Sequence, residues 1–259
     1  LAEAIQAKLP GLPVYLSAKV NPQIAEYPHA NTTAVAAYAG PVIDRYIGRL
    51  EANLKEVGLG GPLRLMRSDG GVATPRAARD NPAHMLLSGP AGGVIAGADL
   101  AKALGVKGMV TFDMGGTSAD FSVIVDGVPT MVREREIDGQ PLRLPTIDIE
   151  TISAGGGSIA RVDIGGALRV GPKSAGAVPG PACYGQGGTD ATVTDAAVVM
   201  GLLDPNEYLG GERRRDPERA AKAVERSVAT PLGLGLEEAA FGIISVANAN
   251  MIQAIRALS

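Results

Sequence analysis

Thr111-Phe-Asp-Met-Gly-Gly-Thr-Ser-Ala-Asp-Phe-Ser-Val-Ile-Val125 is the stretch that decides how the rest of the chain is read. Its apolar lead-in, Met109 to Phe112, reads as a strand entering a core, and Phe121 to Val125 reads as a second strand returning from it. Between them stand Asp113, Gly115, Gly116, Thr117 and Asp120. Two glycines at the tip of a hairpin let the backbone come close to a ligand, because no Cβ blocks the approach. Successive N–H groups in such a turn form a concavity suited to an anion. Asp113 ends the incoming strand, where a carboxylate suits a magnesium ion held directly or through water. Thr117 adds a hydroxyl for a phosphate oxygen. Asp120 is a weaker candidate that suits bracing the turn equally well.

A Gly-Gly pair beside an Asp also describes an ordinary hairpin turn. The full string Asp-x-Gly-Gly-Thr-x-x-Asp between two apolar strands is what turns the reading. It resembles the phosphate hairpin of the actin, sugar-kinase and Hsp70 group of ATPases.

Composition narrows the classes. A chain of 259 residues makes one large domain or two small lobes, and 46% apolar residues suffice for a substantial core. The 35 glycines and 18 prolines fall in discrete clusters, which points to elaborate loops rather than disorder. Net charge is −3 and aromatics are 3%, so there is no basic stripe with interleaved aromatics and nucleic acid is not an expected partner. Cys183 is the single cysteine, which excludes an internal disulfide framework and fits a reducing, cytoplasmic setting. With only His29 and His84 and no metal-ligand spacing, a zinc site built from this chain is not expected. No stretch reads as a signal peptide or a membrane span. The chain begins Leu-Ala-Glu and ends mid-helix by pattern, as expected of a segment of a longer protein.

In chain order, residues 1–9 read as a short helix and Val14 to Leu16 as a short strand. Asn31-Thr-Thr33 offers N-cap side chains to a long helix. Val35, Tyr38, Val42, Tyr46, Leu50, Leu54 and Val57 would form its apolar face, and Pro41 would kink or interrupt it. Leu63 to Met66 reads as a strand, followed by a turn in which Asp69 serves as an Asx-turn residue. Ser88-Gly-Pro-Ala-Gly-Gly93 opens a helix that runs to about Leu104 and stops at Gly105. That glycine-rich start suits either an anion or close packing on a strand. Pro129 to Ile137 would add a third strand to a meander over 109–137, and Leu144 to Ile152 a further one. Asp113 and the rest of the hairpin are thus placed in a part running from 108 to 259, after a helical and connecting part over 1–107.

The second strand run delivers Ala154-Gly-Gly-Gly-Ser158. Gly155, Gly156, Gly157 and Ser158 are either a second wall of the site, giving backbone N–H groups to phosphate or substrate, or a tight strand connection. Gly171 to Asp190 is long for a structureless loop and so is expected to shape a site. Cys183 lies in it, without a histidine nearby in sequence to serve as base. Thr194-Asp195 would cap a short helix, Ala196 to Leu202. The run Arg213-Arg-Arg215 reads as solvated charge, and Pro217 to Val228 and Leu236 to Leu258 as helices.

Taken together, these strings resemble the hydantoinase A / 5-oxoprolinase family, which includes the β subunit of acetone carboxylase. The matching strings are Ser68-Asp-Gly-Gly71, Ser88 to Gly93, Asp113 to Ser118, Ala154 to Ser158, Gly180-Pro-Ala-Cys-Tyr-Gly185, Thr194-Asp195 and Val246-Ala-Asn-Ala-Asn250. Leu16-Ser17, Glu26-Tyr27, Thr32-Thr33 and Pro41 add to them. The resemblance implies an α/β fold of the ribonuclease H-like, actin type, present as an incomplete two-lobe unit. It implies ATP with Mg2+ as cofactors and a small cyclic amide, of the hydantoin or 5-oxoproline type, as substrate. The amide oxygen would be phosphorylated and the ring then opened by water, with help from a hydantoinase B-type partner subunit. A nucleotide-binding carboxylase subunit and a small-molecule kinase are the alternatives. The family also carries an earlier phosphate hairpin and a later adenosine loop, neither of which occurs here. The resemblance therefore makes this chain a central segment that does not turn over ATP by itself. Glu150, Val178 and Ala119 depart from the family pattern, and the first two put the substrate in question more than the nucleotide.

Overall fold

The computed structural model describes residues 1–22, 26–137, 139–206 and 214–258. Arg213 of the basic run therefore lies outside the described residues. The chain forms two compact units, one comprising Leu1–Thr111 and Ser122–Ile149, the other Phe112–Phe121 and Glu150–Ser259. The boundary is not at residue 107. It falls inside the two strands of the hairpin, whose tip belongs with the C-terminal part.

The first unit opens with helices α1 (Ala2–Lys8) and α2 (Ser17–Val20), ahead of the long helix α3 (Glu26–Glu56). Val14 to Leu16 form no strand. Residues 31–33 lie inside α3 and do not cap it. The hydroxyls of Thr32 and Thr33 donate back to the carbonyls of Pro28 and His29, at 2.6 and 2.8 Å. Helix α3 continues through Pro41. Its buried residues are Thr32, Ala36, Gly40 and Ile47, whereas Tyr38, Val42 and Tyr46 of the expected apolar face are exposed. Close approach explains the small residues: a Cβ at Gly40 would fall 1.9 Å from the Tyr15 hydroxyl oxygen.

Strands β1 (Leu65–Met66) and β2 (Val72–Ala73) flank the turn at Ser68 to Gly71. There Asp69 Oδ1 accepts from the Gly71 amide at 3.0 Å, the expected Asx turn. Helix α4 (Pro75–Asp80) is capped by the Thr74 hydroxyl. Helix α5 (Ser88–Leu104) ends at Gly105, which takes the left-handed conformation that glycine adopts cheaply. It buries Ala91, Val94, Ala98 and Ala101 against Ile124, Ile147 and Ile149. Gly97 is where α5 meets a strand closely, since a Cβ there would lie 2.6 Å from Thr111 Cγ2. At Gly89 and Gly93 a Cβ would meet nothing within 4 Å, so close packing does not account for glycine at those two positions.

Strands β3 (Gly108–Met114) and β4 (Ala119–Val125) are the expected hairpin. Asp126 and Gly127, both left-handed, turn the chain into β5 (Val128–Pro129), which pairs with Ile124 and Val125. The expected third strand is broken into β5, β6 (Met131–Val132) and β7 (Arg135–Ile137). Strand β7 pairs with β8 (Gln140–Leu142), and β6 with β9 (Thr146–Ile147). The strand expected over 144–152 is likewise split, into β9 and β10 (Glu150–Ile152).

In the second unit β10 runs antiparallel to β4, with Glu150 opposite Phe121 and Ile152 opposite Ala119. Strands β11 (Ser158–Val162) and β12 (Leu168–Ser174) form the hairpin around Gly165-Gly166. Helix α6 (Val193–Val199) begins three residues earlier than expected. Thr192 is its N-cap, and Asp195 at the third position completes a reciprocal capping box. Helix α7 (Pro217–Val224) continues through a π-helical stretch, Glu225–Ala229, into α8 (Thr230–Leu232). Helix α9 (Leu236–Leu258) follows. Ala196, Val224, Val228, Ala239 and Ile243 are buried together with Ala160 of β11. Burying a side chain such as Ile243 contributes about 1.5–3 kcal/mol relative to exposure. Alanines at the contacts let the helices approach.

Among the described residues no single helix is long and apolar enough to cross a membrane. Pro217–Leu232 and Leu236–Ala257 pass that test only jointly, across a bend of 90°.

Candidate functional site

Strand β3 carries Asp113 to the rim of the second unit and ends at Met114. The turn that follows is closed by the Gly115 amide, which donates to the Ser118 carbonyl at 2.9 Å. Asp113, Gly115, Gly116 and Thr117 are all exposed. Among the described residues, the Asp113 carboxylate, the Thr117 hydroxyl and the Gly116 and Thr117 amides form no hydrogen bond. Donors and a carboxylate are therefore presented outward together.

Nothing inside the protein calls for glycine at this tip. Neither Gly115 nor Gly116 has a left-handed φ. A Cβ at Gly116 would meet nothing within 4 Å, and one at Gly115 would sit in ordinary contact, 3.5 Å from the Ser118 carbonyl oxygen. Bare backbone here leaves the tip open to close approach from outside.

Asp120 is turned to a different task. Its carboxylate accepts from the Thr151 hydroxyl at 2.6 Å and so ties β4 to β10.

The triple-glycine turn stands behind the tip. The Gly156 amide donates to the Gly115 carbonyl at 3.0 Å, and the Gly157 amide to the Gly116 carbonyl at 2.6 Å. The Gly155 amide donates to the buried Ser158 hydroxyl oxygen at 2.9 Å. All three amides are thus committed within the protein, which corrects the expectation that Gly155, Gly156, Gly157 and Ser158 form a second wall of donors. The glycines are there for close approach. A Cβ at Gly155 would lie 2.7 Å from the Gly115 carbonyl oxygen, and one at Gly157 2.8 Å from that of Gly116.

A further layer holds the turn. The amide and the hydroxyl of Thr194 both donate to the Gly156 carbonyl, each at 2.8 Å. The next residue, Asp195, is fully buried and accepts four hydrogen bonds. They come from the amides of Ala182 (3.2 Å), Cys183 (2.8 Å) and Thr192 (3.0 Å) and from the Thr192 hydroxyl (2.7 Å). The stretch expected to be structureless from Gly171 starts inside β12, and the loop after Ser174 backs the triple-glycine turn, with the Ala175 amide donating to the Gly157 carbonyl at 2.8 Å. Burial, reinforced by the Asp195 charge, pushes the Cys183 thiol far above its ordinary range and disfavours the thiolate that a nucleophile requires. Sequence reasoning assigned Thr194-Asp195 only a helix cap. The signal for more was the spacing of Thr192, Thr194 and Asp195 just after a glycine-rich loop.

Of the two departures near the site, Glu150 sits in β10 opposite Phe121, and Val178 is 78% exposed. Among the described residues no group of three or more His, Cys, Asp or Glu side chains is placed to hold a metal ion. At the tip, Asp113 offers an exposed carboxylate, the type of oxygen ligand that magnesium prefers.

The model of a family described as hydantoinase/oxoprolinase matches residues 29–259. Caprolactamase subunit alpha of Pseudomonas jessenii is 41% identical over 98% of this chain, and 5-oxoprolinase 1 of Arabidopsis thaliana 37% identical over 95%. Among solved structures, nucleotide-free acetone carboxylase superposes with a TM-score of 0.84 at 31% identity, over 99% of this chain. The ATP-dependent caprolactamase of P. jessenii superposes with a TM-score of 0.79 at 41% identity, again over 99%. The chain spans 37% of the length of that caprolactamase subunit and 20% of the plant oxoprolinase.

Proposed function

The chain belongs to the hydantoinase/oxoprolinase family, with the fold of a segment of an actin-like ATPase, and from that premise we propose that it supplies one phosphate-binding hairpin of an ATP-dependent enzyme acting on a cyclic amide. The observation that carries the proposal is the hairpin tip. Two glycines that neither backbone conformation nor internal packing requires stand beside free amides and an unpaired carboxylate.

In this reading the Gly116 and Thr117 amides and the Thr117 hydroxyl bind phosphate oxygens, and Asp113 holds Mg2+ or orients its water. Bound Mg-ATP would supply a phosphoryl group for the amide oxygen, which makes the carbonyl carbon electrophilic toward water. The C–N bond would then break with the ring nitrogen leaving as the amine, and hydrolysis of the acyl phosphate would release the carboxylate and phosphate. Gly155, Gly156, Gly157 and Ser158, with Thr194, keep the tip in shape. Such positioning matters because phosphoryl transfer depends on donors fixed before the charge develops. Asp120 serves as a brace. A partner subunit belongs to the proposal, since related proteins are named as subunits of caprolactamase and acetone carboxylase. So does the expectation that this chain alone does not turn over ATP.

The same hairpin suits activation of a carboxylating substrate, and the likeness to acetone carboxylase supports that second reading. One experiment separates them. ATP hydrolysis by the full-length protein with its partner is measured against cyclic amides and against ketones with bicarbonate. Stimulation by an amide with ring-opened product supports the first reading, and stimulation by a ketone only the second. Stimulation by neither sinks both.

A further inference from the structure

A cavity of about 260 Å³ opens within the second unit beside the hairpin tip. Met114, Gly156, Ile244, Ala247 and Met251 contribute to its largely apolar wall, and no charged side chain lines it. Its position follows from bonding already described. Met114 lies between Asp113 and Gly115, and Gly156 is hydrogen-bonded to the Gly115 carbonyl. The volume lies below the range of about 300–1,000 Å³ that drug-sized ligands occupy, so it suits a single small ring and excludes a nucleotide.

Two polar side chains line it. The Thr194 hydroxyl is already spent on the Gly156 carbonyl. Asn248, on α9, is exposed, and its side chain forms no hydrogen bond among the described residues. Its carboxamide offers one acceptor and two donors, the complement of the C=O and N–H that a small-ring amide presents on one edge. We infer that this cavity is the substrate pocket: it seats the hydrocarbon ring of an uncharged cyclic amide, and Asn248 pairs with the ring amide beside the phosphate hairpin. The inference rests on the functional reading above and adds a substrate class to it. A ring bearing a carboxylate, such as 5-oxoproline, would bring a charge against a wall with no cation, and burying an unpaired charge is costly. An uncharged lactam meets no such penalty.

The test uses the full-length protein with its partner subunit. Binding of ε-caprolactam and of 5-oxoproline is measured by NMR saturation transfer, Mg-ATP affinity by calorimetry, and ring opening by steady-state kinetics. The variants are Asn248→Ala, at an exposed position that leaves packing intact, and Ala247→Val, which narrows the cavity. The expected result is preference for the lactam over 5-oxoproline by 100-fold or more in kcat/KM. Asn248→Ala should raise the lactam KM at least 10-fold with Mg-ATP affinity unchanged, and Ala247→Val should weaken lactam binding in the same direction. Preference for 5-oxoproline, or lactam binding that neither variant disturbs, would overturn the assignment. Lactam seated normally in a wild type that binds no Mg-ATP would support the pocket and sink the ATPase reading instead, so the two failures are distinguishable.

Discussion

The Gly157 amide donates to the Gly116 carbonyl at 2.6 Å, and this bond presses the triple-glycine turn against the hairpin tip. With its neighbour from Gly156 to Gly115, it leaves these two carbonyls of the tip occupied from behind while the Gly116 and Thr117 amides stay free. Glycines on the two sides of this contact therefore answer to different constraints.

Gly155→Ala places a Cβ 2.7 Å from a backbone carbonyl oxygen that has little room to move. Overpacking of this kind costs about 1–3 kcal/mol. The melting temperature should fall by several degrees, and nucleotide affinity should fall with it as the tip shifts. Gly116→Ala meets nothing inside the protein. Its melting temperature should match wild type, while Mg-ATP affinity of the full-length protein drops at least tenfold. Equal stability losses in both variants would remove the distinction between supporting and ligand-facing glycines.

Asp195→Ala strips the acceptor from three amides and one hydroxyl in a fully buried position. A buried donor left unmatched costs about 1–3 kcal/mol, so the loss should be several kcal/mol and the variant should unfold well below wild type in urea. A change under about 1 kcal/mol would mean that water replaces the carboxylate and that this layer does not hold the site.

The hairpin was legible in the sequence because its signal is local: two glycines between two apolar runs. Helix α5 was legible for the same reason, with Pro90 in its first turn and Gly105 just past its end. The face of α3 was not. Apolar spacing picked Tyr38, Val42 and Tyr46, yet Ala36, Gly40 and Ile47 are buried: contact with Tyr15 selects small residues at Ala36 and Gly40, and Ile47 packs with Leu65, Ala73 and Ala78. Strands β5 to β7, and likewise β9 and β10, were drawn as two long runs because successive pieces pair with different strands, and partners set strand limits. In the candidate site, Asp113, Gly115, Gly116 and Thr117 were picked out by their motif, whereas the packing of Gly155 to Gly157 against the tip needed coordinates. A glycine required by a ligand and one required by a neighbouring backbone look the same in a sequence.

Cys183 should resist thiol reagents in the native protein. Its pKa is raised, by burial first and then by Asp195, so the thiol stays protonated at pH 8. Labelling should appear only on unfolding, and Cys183→Ala should retain turnover. Because folding favours the neutral thiol, stability from this group is complete below the ordinary thiol pKa and declines as pH rises above it. Rapid labelling at pH 8 without loss of structure would contradict the burial.

His84 carries the opposite sign. Burial, aided by the Arg67 charge, lowers its pKa from the ordinary 6.5, so folding favours the neutral ring. The unfolded chain then binds the extra proton first, and stability is lost as pH falls below about 6.5. Urea midpoints between pH 7.5 and 5.5 should decline less steeply in His84→Gln than in wild type. Parallel slopes would show that another group governs the acid side.

The central claim is that Asp113 and the glycine tip work on the phosphates of Mg-ATP, and steady-state ATP turnover by the full-length Asp113→Asn variant tests it most directly. The substitution keeps the size of an exposed side chain and removes its charge. The account predicts a loss of about 10²-fold, equivalent to about 2.7 kcal/mol of barrier, with an unchanged melting temperature. Turnover within threefold of wild type would contradict it.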